Sequence, residues 1–216
     1  MIFRSGLFVL IVTVLLSGST SHLFAAEISG TLTGFEGKSL TINGDPVFLD
    51  SAGWFRFVSG TDEAAYFEID YGIPVELYLH PSDMVFLNID VTKPVSEIQI
   101  TGDRLIINRH LIREAHEFSL TNQKFMNNFV GIVSMREDAF LEYIDNLWQP
   151  FEQRFDTFVK EKNITDRYFV NSQSVILLYS KSGILLRYPG WHRQFKTGAG
   201  FQPSEAYYSF LSGLDI

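Results

Sequence analysis

The feature that most constrains this chain is a change in the spacing of its apolar residues near Gly102. Before that point they recur at every second position, as in Val75, Leu77 and Leu79, then Val85, Leu87, Ile89 and Val91, then Ile98 and Ile100. Such alternation turns one face of an extended strand inward and the other toward water. Turn signals punctuate it. Asn43-Gly44 joins 40–42 to 47–49, Ser51-Ala52-Gly53 precedes 54–58, and Pro81-Ser82-Asp83 precedes 84–91; these residue types tolerate the backbone angles of tight turns. About seven or eight short strands at this spacing predict a small antiparallel β-sandwich or barrel over residues 27–101. Its core is expected to hold Ile28, Leu32, Leu40, Val47, Leu49, Phe55, Phe57, Phe67, Ile69, Leu77, Leu79, Leu87 and Ile89.

After Gly102 the period becomes helical, beginning with Ile106, His110, Leu111, Glu114, Ala115 and Phe118. The fold class that follows is α+β, with a mainly helical region over 102–216. Ser134 and Glu137 stand at the spacing of a capping box, which predicts a helix start there. Phe140, Ile144, Leu147, Phe151, Phe155, Phe158 and Val159 then form one apolar stripe. Pro150 falls within it and is expected to kink or split the helix after about Trp148, because proline lacks a backbone donor and crowds the preceding turn. Residues 163–166 read as a break, 168–182 as a further helix, and Tyr188-Pro189-Gly190 as a turn into a loop ending near Pro203. A last helix opens at Ser204, with Glu205 complementing its positive end. Tyr207, Tyr208, Phe210, Leu211 and Leu214 are still in register when the sequence stops. Those side chains either dock back on the 134–162 region or are shaped to continue into further structure, so that the helical domain is truncated at its C-terminal end.

Arg4 is the only charge before Glu27, and it stands just ahead of the apolar run 7–16, which gives way to Ser17, Gly18, Ser19, Thr20 and Ser21. That order predicts a secretory signal peptide over 1–26 and a mature start near Glu27. A retained span would need about 20 apolar residues, and this run stops at roughly half of that. The expected location is therefore the periplasm or cell envelope, with membrane contact only in transit. No cysteine follows the run, which excludes a lipid anchor attached through one.

The whole chain carries a formal charge of −8, and loss of Arg4 would make the balance more negative. Phosphate backbones repel such a surface, so nucleic acid is not an expected partner. With 46% hydrophobic and 15% aromatic residues, the chain is globular and can bury a sizeable core as one large or two small domains. The cysteine count is zero, which removes disulfides, thiolate metal sites and thiol redox chemistry from this polypeptide.

Little else points to chemistry. His110 and Glu114 lie four residues apart on one helix face, the spacing of an acid/base pair or two metal ligands, but a solvated face explains them equally well. His80-Pro81-Ser82-Asp83 contains the residue types of a hydrolase triad compressed into one turn, where a β-turn is the ordinary reading. There is no glycine-rich phosphate loop, nucleophile elbow or zinc motif of two histidines one turn apart. No catalytic residue, metal ligand or cofactor site is assigned, and Asn163-Ile164-Thr165, although a glycosylation acceptor in form, is given no role. The one candidate binding surface is the aromatic set Tyr188, Trp191 and His192, with Phe195 and Phe201 nearby, which a Pro189-Gly190 turn would present on a loop.

The order of features resembles the exported thioredoxin-like thiol-disulfide oxidoreductases of Gram-negative bacteria that carry a β-sandwich and a helical spacer ahead of the thioredoxin domain. The resembling pieces are Ile28-Ser29-Gly30-Thr31-Leu32, the stretch 49–57, the turn and strand 79–87, and Ile100-Thr101-Gly102-Asp103 followed by 107–111; the helical half adds Tyr188-Pro189 and the closing aromatic segment. In that family the turn usually reads Pro-Gly-Asp, where this chain has Ser82. The thioredoxin domain with its Cys-x-x-Cys motif is absent, so no catalytic residue carries over. What the resemblance implies is the non-catalytic N-terminal half of such a protein, partnered by a C-terminal thioredoxin-like domain or another envelope protein. Two other expectations stand beside it: a stand-alone envelope protein that binds glycans or proteins, and a hydrolase built around His110 and Glu114.

Overall fold

The computed structural model describes residues 25–197 and 200–214. The signal peptide expected over 1–26 lies almost wholly outside them. Two compact units divide the chain, one ending at Ile112 and the other beginning at Arg113. The first extends past Thr101 because Ile112 packs into its core.

That first unit is a sandwich of two four-stranded sheets, and the α+β reading holds. Strands β1 (Glu27–Thr33), β4 (Trp54–Val58), β7 (Met84–Asp90) and β8 (Gln99–Gly102) form one sheet in the order β4-β1-β7-β8. Strands β2 (Ser39–Ile42), β3 (Asp45–Phe48), β5 (Ala65–Asp70) and β6 (Pro74–Leu79) form the other in the order β3-β2-β5-β6. One core cluster joins the sheets, and edge-on contact of Phe57 with Phe67 at 6.2 Å bridges them. The expected core residues all belong to it, with Leu49 and Phe57 at its partly buried margin. Each fully buried Leu, Ile or Phe contributes on the order of 1.5–3 kcal/mol.

Local chemistry explains the register. Asn43 (φ 53°) and Gly44 (φ 84°) both take left-handed angles, the type I′ turn that suits the twist of a two-residue hairpin. Gly30 faces inward opposite Phe55 and Leu87. A side chain there would strike the Leu87 carbonyl oxygen and come within 3.0 Å of the Phe55 ring, so the strand is glycine where the ring needs the space. Ser82 takes φ 71° in the turn before β7, a left-handed angle that glycine adopts more readily than serine.

One pairing departs from the antiparallel expectation: β1 runs parallel to β7. Alternation says which residues face inward but not which strand lies alongside. Here the chain passes through the second sheet before returning beside β1 in the same direction.

In the second unit the helical elements are the later part of α1 (Leu105–Asn127), then α2 (Phe129–Val133), α3 (Glu137–Glu161), α4 (Arg167–His192), a π-helical turn Arg193–Thr197 and a 3-10 segment Glu205–Gly213. Its core centres on Phe125, Ile132, Phe140, Ile144, Leu185, Tyr188 and Tyr207. The Phe140 and Tyr188 rings stack at 4.1 Å with an 18° tilt.

Several helix boundaries differ from expectation, each for a physical reason. Ser134 does not cap α3, whose N-cap is Arg136 without a side-chain cap. Glu137 is engaged elsewhere. Its Oε2 accepts the backbone N–H of Ser204 at 2.9 Å and its Oε1 the hydroxyl at 2.6 Å, while Ser204 Oγ accepts the N–H of Tyr207 and so starts the last segment as expected. Pro150 does not split α3. It lies on the exposed side with Asn146, where water can satisfy the carbonyl that loses its helical donor.

The break before α4 holds. Asn163 takes φ 51°, and the N–H of Ile164 reaches back to the Val159 carbonyl at 3.0 Å, which is a Schellman stop. Asp166 then caps α4 through the N–H of Phe169 at 3.1 Å.

The expected turn at Tyr188-Pro189-Gly190 is instead helix, since α4 runs on to His192. Proline removes the N–H that would bond the carbonyl four residues earlier, that of Leu185. The Tyr207 hydroxyl donates to that carbonyl at 2.7 Å. A residue of the final segment thus replaces the missing donor, and Tyr207 is buried.

Candidate functional site

The second unit contains a groove of about 570 Å³, within the range of ligand seats. Residues Phe118, Phe125 and Met126 of α1, continued by Phe129, form one wall. Tyr179, Gly183, Arg187 and Trp191 of α4 form the other, and Leu147 with Trp148 of α3 closes the floor. The walls recur at three and four residues because the α4 wall is one face of a helix and the other is a face of α1 carried on by the first residue of α2. Edge-on rings hold the aromatic ones in place: Phe129 meets Trp191 at 5.2 Å, and Phe118 meets Trp148 at 6.0 Å. The Trp148 indole N–H donates to the Leu177 carbonyl at 3.1 Å, tying floor to wall.

Polar groups here are few. Thr121, Asn122, Ser180 and Arg187 line the groove, and among the described residues no carboxylate does. Arg187 is exposed and makes no hydrogen bond or ion pair among the described residues. A guanidinium beside aromatic walls suits an anionic group carried on an apolar body.

The candidate surface Tyr188, Trp191 and His192 separates. Tyr188 is fully buried, and its hydroxyl donates to the Met135 carbonyl at 2.7 Å. Burial, with help from Glu137 and Asp138, pushes that phenol up to about 12. His192 is buried on the Phe201 ring at 4.0 Å, and its Nδ1–H donates to the Val133 carbonyl at 2.9 Å. Continuation of α4 through Pro189 turns both inward, so neither is presented on a loop. Trp191 alone lines the groove.

His110 and Glu114 lie on α1, and His80-Pro81-Ser82-Asp83 forms the turn before β7. Arg154 holds both oxygens of Glu114 at 2.8–3.1 Å, while His110 is buried. Asp83 Oδ2 accepts the His80 backbone N–H at 2.8 Å and Arg104 Nε at 3.0 Å, which fits a braced turn rather than a nucleophile relay. No group of three or more His, Asp or Glu suited to a metal occurs among the described residues. No described helix is long and apolar enough to cross a membrane.

Helix α4, which supplies Tyr179 to the groove, carries a signal that periodicity along one stripe overlooks. Tyr168, Val175, Ile176, Leu178, Tyr179 and Leu186 of α4 are all exposed. A helix apolar on several sides has more than one surface to cover. Comparison with protein-family models, curated proteins and solved structures yields no match.

Proposed function

We propose that this chain is a non-catalytic binding module of the bacterial envelope, and that the groove between α1 and α4 is where its partner sits. The observation that carries the reading is the groove itself: an apolar seat with aromatic walls and a guanidinium that has no partner among the described residues, the composition that dominates binding energy at protein interfaces. The sequence order adds the context of thiol-disulfide exchange. In that reading the partner is a thioredoxin-like domain or another envelope protein, and it brings the cysteines that this polypeptide lacks.

A photo-reactive benzoylphenylalanine placed at Met126, 56% exposed on the rim, tests this in the producing cell. The expected result is an adduct with an exported Cys-x-x-Cys protein that disappears in Gly183→Leu. An adduct unchanged by Gly183→Leu, or none at all, overturns the reading.

A second reading rests on the sandwich. Trp54 and Phe86 stand exposed on the outer face of the β4-β1-β7-β8 sheet, near Thr31 bonded to Asn88 at 3.1 Å. Flat rings beside amide and hydroxyl groups form a platform for sugar rings. Glycan binding lost in Trp54→Ala, with the groove blocked, would favour it.

A further inference from the structure

We infer that the occupant of the groove is an amphipathic helix bearing a carboxylate opposite Arg187. The inference rests on the groove being a partner seat and names what fits there.

Shape comes first. The α4 wall presents about three turns, since 179–191 span roughly 18 Å at 1.5 Å per residue, and the facing wall runs from α1 into the start of α2. Two helical walls over a third helix leave a furrow in which an apolar stripe at i, i+3, i+4 and i+7 can lie. Gly183 opens one wall, because a Cβ there would meet nothing within 4 Å. The apolar surface also continues beyond the groove, with Phe118, Met126 and Tyr179 exposed on its rims. A small molecule seated on the floor would leave those rims wet. A helix about 10–12 Å across would cover them.

Charge narrows the occupant. Among the described residues Arg187 has no partner and no carboxylate lines the groove, so the visitor is inferred to supply the anion. Residues 1–24 contain no Asp or Glu and cannot. A second copy offering its exposed α4 face cannot either, for Arg167–His192 contains no acid.

The test uses three fluorescein-labelled, end-capped 16-residue helical peptides that share a leucine stripe and carry Glu, Gln or Lys beside it. Anisotropy should show the Glu peptide binding at least tenfold tighter than the others at low salt. Arg187→Glu should reverse the order in favour of the Lys peptide. Gly183→Leu should abolish binding with an unchanged or higher Tm, because that position has room for a side chain. Equal binding of all three peptides, or no reversal in Arg187→Glu, overturns the inference. So does dodecanoate that binds more tightly than the Glu peptide, or a dimer in sedimentation that Gly183→Leu dissolves. The cellular adduct at Met126 reports separately on the partner. Its absence alongside a clean charge reversal would remove the envelope reading and leave the helix seat standing.

Discussion

Glycine 30 in the sandwich sits where one added carbon would strike the Leu87 carbonyl oxygen, whereas glycine 183 in the helical unit faces open space. The same contrast runs through the apolar side chains of the two units. In the sandwich, the inward positions of both sheets meet in one closed cluster. In the helical unit a comparable core coexists with exposed Phe118, Met126, Tyr179 and Leu186. A strand has two faces, so burying one disposes of the apolar residues on that face. A helix presents several, and its own fold need cover only some of them. Both halves keep apolar surface in water: in the helical half it borders a groove, whereas in the sandwich half exposed Phe48, Trp54, Met84 and Phe86 stand on strands outside the closed cluster.

The sharpest way to break that contrast is to truncate one ring from each unit. Phe55→Ala removes a fully buried side chain from the sandwich and should cost about 3–5 kcal/mol in chemical denaturation. Met126→Ser on the groove rim should change stability by less than about 0.5 kcal/mol. A large loss at Met126 would mean that the rim belongs to the fold.

A smaller effect tests the helix end. Tyr207→Phe leaves the Leu185 carbonyl without its donor and should cost about 1–3 kcal/mol. In a Pro189→Ala background the helical N–H returns, and most of that cost should vanish in a double-mutant cycle. Equal losses in both backgrounds would show that the hydroxyl acts through something other than the proline.

The smallest effect lies on the sandwich surface. Glu68 and Glu76 stand directly opposite across β5 and β6, and like charges so placed repel. Glu76 keeps much of its surface in water, yet crowding desolvates its carboxyl and Glu68 adds to the effect, so its pKa is raised. A carboxyl raised on folding binds its proton more readily in the folded state. Stability is therefore lost as pH rises from the ordinary carboxyl range through the folded value. Glu68→Gln should stabilise by a few tenths of a kcal/mol at pH 7, and by less at pH 4. A gain independent of pH would point away from charge.

How much of this was legible depended on how local the cause was. Alternation placed Ile28, Leu40, Phe55, Leu77 and Leu87 inward because the side-chain period of a strand is fixed by its backbone. Asn43-Gly44 announced its turn for the same reason. The parallel β1–β7 pair left no local trace, since neighbours in a sheet are chosen by the path of the whole chain. Ser134 looked like a cap only while Glu137 was assumed available to it. Pro189 looked like a stop because nothing near it could replace its N–H. The groove is written in two segments far apart, 118–129 and 179–191, and neither resembles a site alone. Tyr188 and His192 were drawn into the candidate surface by an assumed loop, and Trp191 remains because it faces the groove whichever way the chain arrives.

The phenol of Tyr207 reaches Leu185 across 22 positions of chain, and that bond sets the reading frame for local opening. The last two turns of α4 hold Trp191 against Phe129, but they pass through a proline that weakens them from within. Release of the 205–213 segment would expose the Leu185 carbonyl and invite those turns to fray, taking one groove wall with them. Whatever fills the groove and holds Trp191 in place should therefore slow amide exchange at Tyr207, a residue that it never touches.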